Sequence, residues 1–425
     1  PLLLAGALSL LAAAGASGQE AVPPGAQSAP PPPEARLLEA LRGDRLPLTM
    51  SDGHPSGAGW DWLVGEARRA RFTLIGEEHG VAETAQFSAA LFDALRESGY
   101  SRIAIELSPP IAHDIEAAGK NDGIQGIVEF LTAPDMFTFY NLREEAQFLA
   151  DVLAAAPGSE RVLWGLDREI FNDRYLISRL EPRVPEQARE AFTRLKEAQA
   201  AAWARYEQDR NPDNMFLLSE DPAVVSAVRA AWPDPDPESD AILRTLEESL
   251  AIETAERTGG MWPYMQRRIQ WNRDNLAALL RADEGSAEPP KLLMKFGYIH
   301  MIRGANYVNF FDLGSMVDEV AALTGDRAFH VLVLPGPGSR QAVPGPGGFV
   351  SVASDELDEL GAGDQRLARV LSNPEATGHE VIDLRALRPL ALRGLEPWNP
   401  DVVRTIHGYD AVVIWKGAHA SSSLR

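Results

Sequence analysis

The sequence predicts an α/β protein with a mostly parallel central sheet, flanked by helices and interrupted by a large helical insertion. Short, nearly continuous apolar runs recur along the chain, and such runs are typical of strands that are covered on both faces. Two of these runs enclose a helical pattern within about 36 residues, which is the size of a parallel strand–helix–strand crossover. Between residues 182 and 275 no convincing strand pattern occurs, and this indicates the insertion.

The first crossover contains the clearest helical pattern. Phe87, Leu91 and Leu95 are spaced by four, so residues 83–98 are predicted to form a helix that ends at Gly99. The predicted strands are the apolar runs at residues 71–76, 102–107, 161–166, 291–296, 329–334, 379–384 and 411–415.

The insertion, residues 182–265, separates a first part of the α/β domain, residues 36–181, from a second part, residues 266–425. Its helical patterns cover residues 187–209, 222–232 and 239–257. Helices that leave and re-enter a sheet can form a lid over a cleft, and packing without substrate contact is the open alternative.

The start of the chain has the pattern of an exported protein. Residues 1–18 are uncharged and strongly apolar, which indicates a signal peptide that is truncated at its start, with a buried helix as the alternative. Residues 19–35 are rich in proline, with four in succession at 30–33, and are predicted to form a disordered linker. We therefore expect a periplasmic or secreted protein whose mature chain does not insert into a membrane.

Composition narrows the possible partners and chemistry. The chain of 425 residues carries 40 Lys+Arg and 61 Asp+Glu, a formal charge of −21, which argues against nucleic acid as a partner. It contains no cysteine, so disulfides, thiolate metal sites and cysteine nucleophiles are excluded. A small-molecule substrate is the expected partner, and the oligomeric state is left open.

Candidate functional side chains follow the predicted strands. His79 follows the first strand, Glu106 lies at the end of the second, Asp167 follows the third and His300 follows the fourth. The carboxyl ends of parallel strands share one edge of a sheet, and that edge carries the ligand crevice. We therefore expect two histidines and at least two carboxylates to meet there.

Each of these residues also has a structural interpretation. Glu106 could form a buried ion pair, His79 could bond to backbone groups in a turn, and His300 could sit at the start of a helix. Asp167 could be the N-cap of a helix at residues 168–178. His113 follows two prolines in a predicted first helical turn. The other histidines match no strand-end pattern and are taken as ordinary: His54, His330, His379, His407 and His419.

Two Gly-x-x-His motifs, Gly76–His79 and Gly297–His300, with the strand-end Glu106 between them, resemble the superfamily that joins erythromycin esterases, ChaN-type haem-binding proteins and Tiki-type metalloproteases. Further segments resemble the erythromycin esterase branch, and the resemblance extends from about residue 72 to residue 424. These segments are residues 79–83 (HGVAE), 99–106, Arg268 to Asn275, and 409–413 (YDAVV).

The chain departs from the esterase pattern at both motifs. Erythromycin esterases usually have Gly-Glu-x-x-His, whereas here His79 comes one residue earlier, as in the ChaN and Tiki spacing. Their second motif usually reads His-Asn-x-His, and only His300 is kept. The resemblance therefore implies hydrolysis without specifying a macrolide substrate.

The resemblance implies hydrolysis of an ester or lactone. His79, with a pKa expected near 6.5, would act as general base on a water molecule. Glu106 or Glu77 would orient that imidazole, and His300 would bind the oxyanion or protonate the leaving oxygen. No Gly-x-Ser-x-Gly motif of a serine esterase occurs. The remaining candidate substrate-binding residues are Glu78, Asp167, Arg268 and His113.

Two other classes remain open, although no cofactor is predicted. A divalent-metal hydrolase of the Tiki type would use His79, His300 and Glu106 with Glu77 or Asp167 as ligands. A non-catalytic protein of the ChaN type would bind haem through a strand-end histidine. Residues 136–140 and 298–301 could line such a pocket, or could simply be core.

Overall fold

The computed structural model describes residues 33–282, 290–345, 348–354, 356, 371–373, 375–392 and 398–425. The predicted signal peptide, and the predicted linker up to residue 32, lie outside the described residues, so export stays a prediction. The end of that linker is corrected, because helix α1 (Pro33–Ala40) already begins at Pro33. Along the described chain, no helix is both long and apolar enough to cross a membrane.

A nine-stranded sheet forms the centre of the described protein, in the order β2-β1-β10-β11-β7-β3-β6-β4-β5. The strands from β11 to β5 in this order run parallel, and β2, β1 and β10 extend one side in antiparallel pairing. Strands β8 and β9 form a separate hairpin. The strands are β1 (Arg45–Ser51), β2 (His54–Ser56), β3 (Phe72–Glu77), β4 (Tyr100–Ile105), β5 (Leu163–Gly165), β6 (Lys291–Gly297), β7 (Ala328–Pro335), β8 (Arg340–Gly345), β9 (Gly348–Ala353), β10 (His379–Asp383) and β11 (Ala411–Trp415).

Helices cover both faces of the sheet, because successive strand residues point to opposite faces and both sets are apolar. Ile75 and Val331 pack in one core with α3, α4 and α5, whereas Leu74 and Leu332 pack in a second core with α13 and α15. The remaining helices are α2 (Ala58–Arg68), α3 (Ala82–Leu95), α4 (Pro109–Leu131), α5 (Arg143–Ala155), α6 (Asp173–Leu180), α7 (Arg189–Asp209), α8 (Phe216–Ser219), α9 (Ala223–Ala231), α10 (Pro237–Gly259), α11 (Met261–Ala282), α12 (Tyr298–Met301), α13 (Leu313–Thr324), α14 (Arg388–Leu392) and α15 (Pro400–Gly408).

The predicted α/β class and parallel sheet are confirmed. Each predicted strand is present within three residues at either end, and the predicted first helix is α3 followed by a short turn. Gly99 ends that turn with φ of 92°, the left-handed conformation that favours glycine. The two hairpins, β1–β2 and β8–β9, were not predicted, because they are short and only partly buried.

The helical insertion shares the main core of the sheet. Leu195 on α7, Val225 on α9 and Leu246 on α10 belong to the same apolar cluster as Ile75 of the sheet. Helix α11 runs across the predicted boundary at residue 265, so the last insertion helix continues into the second part of the domain. This continuity lets α11 carry a side chain to the end of the sheet.

Candidate active site

Four neighbouring parallel strands bring the predicted site residues together. Strands β3, β6, β4 and β5 lie side by side, and their carboxyl ends form one edge. Glu77 ends β3, Glu106 directly follows β4, and His300 follows β6. His79 Nε2 lies 3.4 Å from Glu106 Oε2, and His300 Nε2 lies 3.6 Å from Glu106 Oε1. One carboxylate therefore lies between two imidazoles that are more than two hundred residues apart in sequence.

Glu106 is the centre of this cluster. Arg268 Nη2 donates to its Oε1 at 2.8 Å, and the backbone amide of Gly297 donates to its Oε2 at 2.7 Å. Burial alone would raise the pKa of Glu106, but the hydrogen bond from His79 and the positive charges around it hold this pKa well below its usual value. A Cβ at Gly297 would lie 3.3 Å from both Glu106 Oε2 and His79 Nε2, so glycine permits this close approach.

His79 is the most accessible of the central charged groups, with 33% of its side chain exposed. Its Nδ1 lies 3.0 Å from Glu77 Oε1, and its ring stacks on Phe139 at 5.0 Å between centroids. Burial lowers the pKa of His79, but the hydrogen bonds to Glu106 and Glu77 outweigh burial and raise it to about 10. The expectation of a pKa near 6.5 is therefore wrong, and His79 is an imidazolium at neutral pH.

Lys295 forms the floor of the site, and the sequence analysis missed it. Its ammonium is almost fully buried and donates to Glu77 Oε1 at 2.7 Å and to both oxygens of Glu145 at 3.0 Å. Burial raises the pKa of Glu145 to about 7, in spite of the lysine. A lysine inside the buried run KLLMKF of β6 was the available signal, because a buried ammonium needs carboxylate partners.

Asp312 holds His300 from the other side and was also missed. His300 Nδ1 lies 2.8 Å from Asp312 Oδ2, and both side chains are buried. Burial lowers the pKa of His300, and the charge of Asp312 reverses the effect, so the pKa is raised. Asp312 is also the N-cap of α13, where its side chain accepts from the amide of Leu313. An aspartate directly before a helical pattern was the feature of the sequence that could have drawn attention to it.

Arg268 on α11 joins two of the predicted carboxylates. Besides Glu106, it binds Asp167 in a two-point ion pair, with Nε 3.0 Å from Oδ1. The alternative that Asp167 caps a helix at residues 168–178 is wrong, since α6 begins at Asp173 and has Asn172 at its N-cap position. The resemblance that singled out Arg268 therefore located a residue of this cluster.

Two predicted substrate-binding residues have other partners. Glu78 accepts from Gln341 Nε2 at 2.9 Å, which ties the His79 turn to strand β8. His113 lies on α4 with 67% of its side chain exposed and bonds to Asp114 at 3.2 Å. The structure does not bring His113 to the cluster around Glu106.

The donor sets proposed for a metal or haem do not fit this arrangement. Within the described residues, no group of three or more His, Asp and Glu side chains is placed to hold a metal ion. Both ring nitrogens of His79 and of His300 face carboxylates, so neither histidine offers a free nitrogen to haem iron. Glu106 is already bound by Arg268 and by a backbone amide.

A small cavity of about 50 Å³ adjoins the cluster, with room for a water molecule. Glu106, Asp167 and Arg268 are among its polar lining residues, and Phe137, Phe139 and Phe171 are among the apolar ones. A reacting group in this cavity would meet a carboxylate and a guanidinium beside aromatic rings.

Solved structures with this fold support the predicted class. A protein from Bacillus cereus has a TM-score of 0.58 at 14% identity, covering 92% of this chain and 100% of its own. A succinoglycan biosynthesis protein has a TM-score of 0.63 at 12% identity, with 92% and 98% covered. The erythromycin esterase EreC in its open conformation has a TM-score of 0.54 at 14% identity, with 86% and 95% covered. No protein-family model and no curated protein matches the sequence.

Proposed function

The described chain has an erythromycin esterase-like α/β fold, and we propose that it hydrolyses an ester or lactone by attack of water. The observation that carries the proposal is Glu106 between His79 and His300, with Arg268 on the same carboxylate. This arrangement combines a group that can exchange a proton with cations that can stabilise a developing oxyanion.

In the proposed reaction, the neutral form of His79 takes a proton at Nε2 from a water molecule that replaces the 3.4 Å contact with Glu106, as the water oxygen attacks the carbonyl carbon. Glu77 holds Nδ1 and fixes the orientation of the ring, and Lys295 keeps Glu77 in place. His300 and Arg268 would stabilise the oxyanion. When the tetrahedral intermediate collapses, the leaving alkoxide takes the proton back from His79, so that protons balance over the cycle.

The raised pKa of His79 gives this mechanism a definite pH dependence. With a pKa of about 10, about a thousandth of the molecules carry neutral His79 at pH 7. If neutral His79 is the base, the rate rises about tenfold per pH unit and levels off above about pH 10. If imidazolium instead acts as a general acid, the rate is flat at neutral pH and falls above about pH 10.

The test is turnover of an ester and lactone panel by wild type, His79→Asn and His300→Asn. We expect His79→Asn to lower kcat per folded molecule by about a hundredfold or more, the scale of general-base catalysis. The melting temperature should fall as well, because the raised pKa of His79 means that its ion pairs with Glu77 and Glu106 stabilise the folded state at neutral pH. His54→Asn is the matched control, because His54 is exposed on β2, the outermost strand on the side of the sheet away from β4 and β5.

Each variant is also assayed with chelator and with added divalent metals. Full activity in His79→Asn would overturn the assignment of the base. Loss of wild-type activity with chelator, restored by metal, would replace our mechanism with metal-assisted hydrolysis. No turnover of any panel member by wild type would overturn the proposed function.

A further inference from the structure

A second and much larger cavity lies next to the one at the catalytic cluster. It has a volume of about 930 Å³, within the range of small-molecule sites. Phe137 and Phe171 line both cavities, so this pair of rings borders both spaces. A substrate that fills the large cavity and extends past these rings would bring its ester bond close to Glu106 and Arg268.

Aromatic rings form much of the wall of the large cavity. Phe137 stacks on Phe349 of β9 with 5.4 Å between centroids, and meets Phe171 edge-on at 5.0 Å. The backbone amide of Phe137 donates to Asn172 at 2.8 Å, which fixes the loop that carries this ring. Trp203 of α7 is a further aromatic residue of the lining. Such a surface suits a flat aromatic or alicyclic body.

The charges in the lining have the opposite sign to the chain as a whole. Its charged residues are Arg174, Arg210, Arg425 and Asp135. Arg174 is balanced, because it pairs with Asp135 at 2.7 Å and with Glu207 at 3.3 Å.

For the other two arginines of the lining, the described residues provide no carboxylate partner. The Arg425 guanidinium donates to the backbone carbonyls of Ala133 and Met136, which carry no net charge. Arg210 lies over the Tyr206 ring, 5.6 Å from its centroid. In a chain of charge −21, cationic side chains gathered around an aromatic cavity indicate an anionic ligand.

We propose that this cavity binds the aromatic or alicyclic body of an organic anion. What this implies about the substrate rests on the proposed function. The preferred esters would carry an aromatic or alicyclic body together with a carboxylate, sulfonate or phosphate. Esters whose body carries a basic amine would be disfavoured by the same arginines.

The direct test is binding of naphthalenesulfonate and of naphthylmethylammonium, measured by titration calorimetry without any turnover. We expect the sulfonate to bind at least about tenfold more tightly than the ammonium, and added salt to reduce this ratio. Equal affinities, or no binding of the sulfonate, would overturn the proposal.

Two variants locate the binding site. Phe349→Ala removes one face of the aromatic wall and is expected to weaken sulfonate binding about tenfold. Arg210→Asn removes a charge, and asparagine suits its positive φ of 56°; we expect about fivefold weaker sulfonate binding and a smaller ratio between the probes. Arg194→Gln is the matched control, because Arg194 lies on helix α7, which ends directly before Arg210, and is outside the lining. Unchanged affinity in both cavity variants would place the probe elsewhere and overturn the assignment.

Kinetics separate this inference from the proposed function. If esters are hydrolysed, KM for anionic naphthyl esters should lie well below KM for the amine-bearing esters, and Phe349→Ala should raise it without changing turnover of acetate esters. If no ester is hydrolysed but the sulfonate binds as expected, the proposed function fails and the cavity assignment stands. Hydrolysis with no preference for anionic esters would refute the substrate inference alone.

Discussion

Two buried histidine clusters lie on the same sheet, and their hydrogen-bond partners differ. In the candidate site, both ring nitrogens of His79 face carboxylates. In the second cluster, His330 Nδ1 donates to the backbone carbonyl of Met301 at 2.8 Å, and its Nε2 lies 3.7 Å from Asp318 Oδ1. A further carboxylate there, Asp410, accepts from the backbone amide of His330 at 3.0 Å and pairs with Arg303 at 3.2 Å.

The difference separates a structural histidine from a candidate catalytic one. His330 lies inside β7, opposite Leu74 of β3, and its bonds tie chain segments together. His79 follows the end of β3, where a ligand can approach, and its partners change its protonation. Burial is greater for His330, so burial alone does not identify the site. Position at the carboxyl edge, together with carboxylates at both ring nitrogens, does identify it.

The largest expected effect concerns the buried charges under the site. Lys295→Met leaves Glu77 and Glu145 buried without their shared cation, and we expect a loss of about 3–5 kcal/mol in the free energy of unfolding. Lys291→Met on the same strand is the control, with an expected change of less than about 1 kcal/mol, since Lys291 is partly exposed and donates to the backbone carbonyl of Arg68. Urea unfolding measures both values. Similar losses in the two variants would show that Lys295 does not stabilise the buried carboxylates of Glu77 and Glu145.

The sequence predicted the sheet well because its parallel strands are buried on both faces. The runs that became β3, β6 and β7 are mainly apolar, apart from residues such as Lys295 and His330, so their pattern could be read without knowledge of distant contacts. The β8–β9 hairpin mixes buried and exposed positions, and its pairing with the His79 turn depends on tertiary contacts such as Gln341 with Glu78.

The sequence predicted the site residues that follow the ends of strands. His79, Glu106 and His300 each follow a strand, and topology alone brings such residues to one edge. Lys295 and Asp312 became visible only in the structure, because their roles depend on which carboxylate or imidazole lies across the fold. The pKa of His79 was predicted wrongly for the same reason, since two carboxylates from different segments set it.

The second prediction compares the same substitution at one histidine of each cluster. His300→Asn removes a group proposed to stabilise the oxyanion, and we expect kcat to fall by about a hundredfold. His330→Asn should lower the melting temperature, while kcat per folded molecule stays within about twofold of wild type, because His330 contacts the backbone of Met301 and not the cleft. Turnover normalised to the folded fraction distinguishes the two outcomes. A large fall in kcat for His330→Asn would remove the distinction drawn between the clusters.

The smallest effect is expected at a histidine outside both clusters. His113 was predicted to bind substrate, but its side chain is 67% exposed on α4. The hydrogen bond to Asp114 raises the pKa of His113, so its small stabilising effect is present below about pH 6.5 and is lost as pH rises through the raised value. In His113→Asn, Asp114 keeps its bonds from Tyr175 and Arg179, both at 2.8 Å.

We therefore expect His113→Asn to change the free energy of unfolding by less than about 0.5 kcal/mol, as is usual for surface substitutions. The kcat and KM of the best ester should stay within about twofold of wild type, because no part of His113 adjoins the cavity at Glu106. Steady-state kinetics and urea unfolding of the same preparation measure both quantities. A KM raised about tenfold with normal stability would show that substrate reaches the exposed face of α4, and the site would then extend beyond the strand ends that define it.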